Sequence, residues 1–282
     1  YREERARQRA EAIVTQKASA EPVLHTTLAD GSRVVLNIRR LEAVIAEACA
    51  GLDGVDAALV LAEARRNLYD GIGQDELALA SIMASRTLVE QEPNYSYVSS
   101  RLLLDKLRGE VLSFVHGIPT TATQAEMAAR YADYFSAYVK VGIQAELLDP
   151  ELSRFDLARL AAAIKPERDL QFQFLGLQTL YDRYFLHVRN RRIELPQAFF
   201  MRVAMGLAMR EIDREARAIE FYNLLSSFDF MASTPTLFNS GTLRPQLSSC
   251  FLTTVADDLD GIFKSVKDNA LLAKYSGGLC ND

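Results

Sequence analysis

The sequence is poor in the residues that build covalently or metal-stapled scaffolds. It has three cysteines, Cys49, Cys250 and Cys280, and three histidines in 282 residues. That spacing gives neither a disulfide framework nor a zinc motif and suits a reducing, cytoplasmic setting. Histidines so far apart argue against a His-based metal site, and no metal is expected in this chain. No apolar run reaches the ~20 residues that span a bilayer, so no membrane association is expected. A basic surplus is missing too: 32 Lys and Arg face 37 Asp and Glu, for a net charge of −5. A dedicated nucleic-acid binder would carry a basic field. Small nucleotides remain open, because a few local cations hold them. The opening run Tyr1-Arg-Glu-Glu-Arg-Ala-Arg-Gln-Arg is charged and helical in character rather than a signal peptide, and it starts without Met, so upstream sequence is expected. There is no internal repeat and no low-complexity tract.

What remains is an ordinary globular composition, 49% apolar and 24% charged, long enough for one or two domains. Residues 1–20 read as a charged helix, the tail of a preceding element. Asp30-Gly31 between His25-Thr-Thr-Leu-Ala and Ser32-Arg-Val-Val-Leu predicts a β-hairpin, because both turn residues tolerate positive φ. Leu41, Val44, Ile45 and Ala48 mark one helix face. Leu61, Ala64 and Leu68 mark a second helix, stopping at Tyr69-Asp70-Gly71. Leu79, Ile82 and Met83 mark a third, and Leu103, Leu104, Leu107 and Val111 a fourth. Residues 114–124, rich in Gly, Pro and Thr, read as a linker. From 125 to 230 the chain is strongly helical, with a stripe of Leu157, Leu160, Ala161 and Ile164. The run from Pro196 to Met209 is apolar on most sides and so buried on several faces. Residues 232–246 read as turns, 247–255 as a strand, and Asp260 to Tyr275 as a helix broken by Gly277-Gly278. That order suggests the first unit of an α/β domain.

The segment Thr234-Pro-Thr-Leu-Phe-Asn-Ser-Gly-Thr-Leu-Arg-Pro-Gln-Leu-Ser-Ser-Cys250 closely resembles a signature of ribonucleotide reductase large subunits. Asp257-Asp-Leu-Asp-Gly-Ile262 and Lys274-Tyr-Ser-Gly-Gly278 follow at the family spacing. Upstream, Arg168-Asp169, the run from Gly176 to Tyr184, and Glu194-Leu-Pro-Gln197 resemble its helical region. The first part resembles the family's regulatory ATP-cone in the hairpin, in Tyr69-Asp-Gly-Ile72 and in Tyr95-Ser-Tyr-Val-Ser-Ser-Arg-Leu102. The usual Lys-Arg pair before the hairpin turn is Leu28-Ala29 here, and the expected Thr and His are Gln74 and Ala78; Arg40 keeps a usual basic position. A triphosphate needs several cationic and backbone donors together. The implied cone is therefore degenerate. Residues 1–12 resemble the end of another cone, which raises the expectation of a working one upstream.

The resemblance implies a mostly α chain in this stretch: element tail 1–20, degenerate ATP-cone 21–113 (hairpin plus four-helix bundle), helical domain 125–230, and the truncated start of a ten-stranded α/β barrel at 231–282. It implies a class I ribonucleoside-diphosphate reductase large subunit. Such an enzyme acts on ribonucleoside diphosphates under ATP and dNTP control, self-associates, and takes electrons from thioredoxin or glutaredoxin. A small subunit with its own metal-radical centre completes it. A cobalamin-dependent reductase and a non-catalytic effector-binding or oligomerisation module are the rival readings. The family's thiyl cysteine and second redox cysteine find no match here, so this stretch alone is expected to be inactive.

Residue by residue, Cys250 matches one of the pair that reduces the substrate. A thiol of ordinary pKa is protonated at neutral pH and can protonate a departing hydroxyl; the plain alternative is a small buried residue on a strand. Thr234, Ser249 and Gly278 match substrate contacts, against turn hydrogen bonding for the hydroxyls and a helix cap for the glycine. Adjacent strand residues face opposite ways, so Ser249 and Cys250 cannot both present side chains to one pocket in a regular strand. Asp258 and Lys274 match the effector specificity site, against a helix N-terminal acid and a C-terminal lysine. Cys280 stands where the family usually has Gly and takes no catalytic role. Cys49 reads as core and His187 as packing or surface.

Overall fold

The computed structural model describes residues 23–28, 31–274 and 278–282. The expected helical tail at 1–20, Ala29 and Asp30 of the hairpin turn, and Tyr275 and Gly277 after the last helix lie outside the described residues.

The hairpin forms. β1 (His25–Thr27) pairs antiparallel with β2 (Arg33–Val35), Thr26 opposite Val34. A strand that the pattern did not reveal, β3 (Ile72–Gly73), adds parallel to β1. Asp70 ties the edges together, accepting from the His25 amide and the Arg33 guanidinium, both at 2.8 Å. Its carboxyl sits below the usual range because His25, then Arg33, hydrogen-bonds the charged form.

Four helices pack beside this sheet: α1 (Ile38–Cys49), α2 (Ala57–Arg66), α3 (Gln74–Arg86) and α4 (Tyr95–His116). Asn37 and Asp56 cap α1 and α2 with their side chains. Leu41, Ile45 and Ala48 are buried as their spacing predicts. The expected third helix forms, but of its three marker residues only Ile82 is buried: Leu79 and Met83 are exposed, and Ser81, Ala84 and Ser85 are buried beside Ile82. Small residues let α3 approach α4 closely enough for Ser85 and Ser99 hydroxyls to meet at 2.8 Å. The expected linker also starts late. Phe114 and Val115 pack on the core within α4, which ends where Gly117 turns left-handed at φ 71°.

α5 (Gln124–Gln144) opens with a capping box between Thr123 and Glu126. Two 3-10 turns, Pro150–Arg154 and Pro166–Gln171, flank α6 (Leu157–Ala163). α7 (Phe174–Thr179) runs on as a π turn, Leu180–Tyr184. A hairpin missing from the expectation, β4 (His187–Val188) with β5 (Arg191–Arg192), turns through Arg189 and Asn190, both at positive φ. α8 (Pro196–Ala208) is buried on nearly every side, as its composition predicts, and α9 (Arg214–Ser226) packs against it. One apolar core runs from Leu41 to Leu237.

Beyond it the expected turns at 232–246 contain a short helix, α10 (Thr234–Asn239), which Pro235 can open because a first-turn residue needs no amide donor. The expected strand 247–255 shortens to β6 (Cys250–Thr253). α11 (Leu259–Lys274) returns the chain to β7 (Gly278–Asn281), parallel to β6 with Cys250 opposite Gly278. No helix among the described residues is long and apolar enough to cross a membrane.

Candidate functional site

The segment that carries Thr234 and Cys250 is held from beneath by one buried cation. Arg202, in the middle of α8, is fully buried, as is its ion-pair partner Glu194 at 2.7 Å. The same guanidinium donates to the carbonyls of Ser240 at 2.6 Å and Leu237 at 3.2 Å, which are the orphan acceptors at the C-terminal end of α10. Glu194 also accepts from the Tyr138 hydroxyl at 2.5 Å and the Leu186 amide at 2.8 Å. Burial alone would lower the Arg202 pKa; the Glu194 carboxylate outweighs it and holds the guanidinium above its ordinary value. Gly206 admits the loop after α10: a Cβ there would lie 2.1 Å from the Gly241 amide nitrogen.

α10 in turn steers the chain toward β6. Asn239 donates to the Gln246 carbonyl at 2.7 Å, and the Thr236 hydroxyl to that of Leu247 at 3.0 Å. Thr234, at the other end of α10, is exposed, its hydroxyl 3.1 Å from that of Tyr184. Tyr184 stacks on Phe238 with ring centroids 4.5 Å apart.

Cys250 stands at the start of β6 and is exposed in this stretch. Ser249 lies just outside the strand and takes part through its backbone, its carbonyl accepting the Gly278 amide at 2.9 Å. Gly278 is required by that closeness: a Cβ there would stand 2.7 Å from the Ser249 oxygen. The strand pair thus brings together Cys250, Ser249 and Gly278. It does not bring together Asp258 and Lys274, which stand at the two ends of α11. Sixteen residues of helix separate them by ~24 Å. Asp258 accepts the Gly261 amide at 2.8 Å and so caps the helix.

A concavity of about 810 Å³ lies between the first hairpin, α1, α3, α4 and the second hairpin; Arg40, Gln74, Ala78, Asp105 and Lys106 are among its lining residues. Three of its cations stand near acids, among them Arg40 with Asp105 at 3.5 Å and Lys106 with Asp75 at 3.6 Å. Arg192 reaches Glu110 at 3.9 Å. Gln74 and Ala78 add no positive charge.

Sequence reasoning missed Arg202, Tyr138 and the role of Glu194. A signal was available: a lone arginine inside an apolar helix must find a buried acid. Cys49 is half-buried against the core, where burial pushes its thiol up, and His187 is exposed.

Residues 170–245 match the family model for the ribonucleotide reductase all-alpha domain. The chain is 45% identical over its whole length to ribonucleoside-diphosphate reductase subunit alpha of Chlamydia muridarum, covering 27% of that protein. With the subunit alpha of Helicobacter pylori it shares 38% identity over 86% of this chain and 29% of the relative. With the large subunit from Danio rerio it shares 33% over 91% and 31%. The chain therefore spans under a third of the length of these relatives, and over that span it belongs to the ribonucleotide reductase large-subunit family.

Proposed function

We propose that this chain is the part of a ribonucleoside-diphosphate reductase large subunit that presents one of the two reducing cysteines, Cys250, to the ribose of a ribonucleoside diphosphate. The observation that carries this reading is an exposed thiol at the mouth of a parallel strand pair, on a segment fixed by a fully buried arginine. In the reaction, a thiyl radical removes the ribose 3′-hydrogen. The Cys250 thiol protonates the 2′-hydroxyl, which leaves as water. The cysteine pair supplies two electrons and ends as a disulfide, so a diphosphate and a dithiol become a deoxynucleoside diphosphate, a disulfide and water. A metal-radical centre in a small subunit supplies the oxidising equivalent. Thioredoxin or glutaredoxin resets the disulfide.

Within this reading Thr234 and the backbone of Ser249 and Gly278 hold substrate oxygens. Asp258 and Lys274 serve the dNTP specificity site. Their separation along α11 means that one nucleotide cannot touch both within a single chain, which fits self-association, with a second chain closing the site. Residues 21–113 act as an ATP-cone of degenerate ligand set. The pairing of Arg40 and Lys106 with acids supports that, because a triphosphate would have to strip both cations first. Residues 125–230 form the helical domain, and β6–α11–β7 begins the barrel. The working compartment is the cytoplasm.

The test is diphosphate reduction by the longer polypeptide that carries this stretch, with its small subunit and a thiol reductant. Wild type turns over and Cys250→Ser does not, while still binding substrate. Full activity in the variant sinks the assignment of Cys250. A demand for adenosylcobalamin in place of the small subunit favours the cobalamin enzyme. Effector binding and oligomerisation without turnover favour the non-catalytic module.

A further inference from the structure

The second exposed cysteine, Cys280, has no place in the mechanism above, yet the strand register puts it next to Cys250. Cys250 pairs with Gly278, and Leu252 with Cys280. Side chains alternate along a strand, so Cys250, Leu252, Gly278 and Cys280 share one face. The opposite face carries Phe251, Thr253, Leu279 and Asn281 and is the one α11 covers, where Asn269 of α11 donates to Asn281 at 3.0 Å. Within this stretch Cys250 and Cys280 are both exposed, and Leu252 is 83% exposed. The Cys250 sulfur leans toward β7, 3.5 Å from where a Gly278 Cβ would be. Because residue 278 has no side chain, nothing at that position stands between the two sulfurs.

The separation selects the chemistry. Parallel neighbours ~4.8 Å apart, offset by two residues of ~3.3 Å each, place the two Cα atoms ~8 Å apart. A disulfide closes only below about 7 Å. A bridging atom extends the reach, since two sulfurs each ~2.3 Å from a common ion stand up to ~4.6 Å apart, against ~2 Å in a disulfide. Soft, thiophilic centres prefer such thiolate pairs.

We propose that Cys250 and Cys280 form a two-thiol clamp for a soft thiophilic centre, of which a trivalent arsenical is the probe ligand. The reaction is an exchange without redox change. An arsenoso oxygen leaves as water with the two thiol protons, two As–S bonds form, and arsenic stays trivalent. The site stands on strand register and does not depend on the proposed catalysis.

The test is titration of the full chain with phenylarsine oxide, read by intact mass and by loss of free thiols. One arsenical per chain is expected, consuming two thiols, reversed by an added dithiol and not by a monothiol. Cys250→Ser and Cys280→Ser each weaken capture by about a hundredfold, the usual penalty for losing one of two linked contacts. Cys49→Ser leaves it unchanged. Unchanged circular dichroism and an unchanged denaturation midpoint show that each variant is folded. Undiminished capture by folded Cys280→Ser, dependence on Cys49, or ready formation of a Cys250–Cys280 disulfide under mild oxidation overturns the clamp. None of these readouts uses reductase activity, so the clamp and the catalytic reading fail separately.

Discussion

The helical region around α5 and α8 and the terminal β6–α11–β7 unit treat their polar groups in opposite ways. In the first, Tyr131, Tyr134 and Tyr138 fall on one face of α5, and each hydroxyl donates into the interior: to Asp169 at 2.6 Å, to the Ile193 carbonyl at 2.8 Å and to Glu194. The two carboxylates are shared with further partners: Gln197 reaches Asp169 at 2.8 Å, and Arg202 reaches Glu194 at 2.7 Å. In the second, Cys250, Ser249, Asp258 and Gly278 are all exposed. The lesson is a division of labour. The helical region spends buried polar groups on rigidity, and the strand unit, within this stretch, leaves its polar groups exposed, joined to that rigid base through Arg202 and α10.

The largest effect expected from breaking this arrangement is at Glu194. Glu194→Ala leaves the Arg202 charge buried without its partner and should cost about 3–5 kcal/mol, read as a lower midpoint in denaturant. Pairing it with Arg202→Met should recover much of that loss, while the loop after α10 becomes more susceptible to proteolysis. If Glu194→Ala unfolds at the wild-type midpoint, the buried pair is not what stiffens the region.

Next is a pH effect confined to the helical region. Burial raises the Asp169 pKa from 3.8 to about 6, against the pull of the Tyr131 and Gln197 hydrogen bonds. A carboxyl with a raised folded pKa binds its proton more tightly in the folded state. Its contribution is therefore fully present below pH ~4 and lost as pH rises through ~6, a swing of about 3 kcal/mol at most. Asp169→Asn should flatten stability between those limits relative to wild type. Parallel pH profiles for the two proteins would count against a proton on Asp169.

The smallest effect belongs to the strand unit. Asp258→Ala removes the cap on α11 and should cost about 1 kcal/mol. Amide exchange should quicken in the first turn of α11 and leave α8 unaffected. Exchange that quickens in both would mean the two regions are coupled more tightly than their contacts suggest.

Much of the helical frame was readable because its apolar residues recur at helical spacing, as in α1 and in the stripe from Leu157 to Ile164. What escaped was short or disguised. β3 and the β4–β5 pair are two-residue strands, too brief for alternation to register, and the Arg189-Asn190 turn lacks the glycine that usually marks one. The apparent linker hid the end of α4, because Pro119 and the threonines around it drew attention from Phe114 and Val115. α10 was hidden by its own proline. At the site, the Cys250 segment was legible from its motif. The adjacency of Cys250 to Cys280 was not, since it depends on a parallel register that no local pattern encodes.

The tyrosine row on α5 has an optical consequence. The chain contains no tryptophan, and the single tyrosine after Phe251 is Tyr275. Near-ultraviolet absorption and emission therefore report mainly on the helical region. Hydroxyls that donate to carboxylates, such as those of Tyr131 and Tyr138, should absorb at longer wavelength and emit weakly. Loss of that signature on denaturation would follow the melting of α5 and α8 by colour alone, with the thiol-bearing unit almost silent in the background.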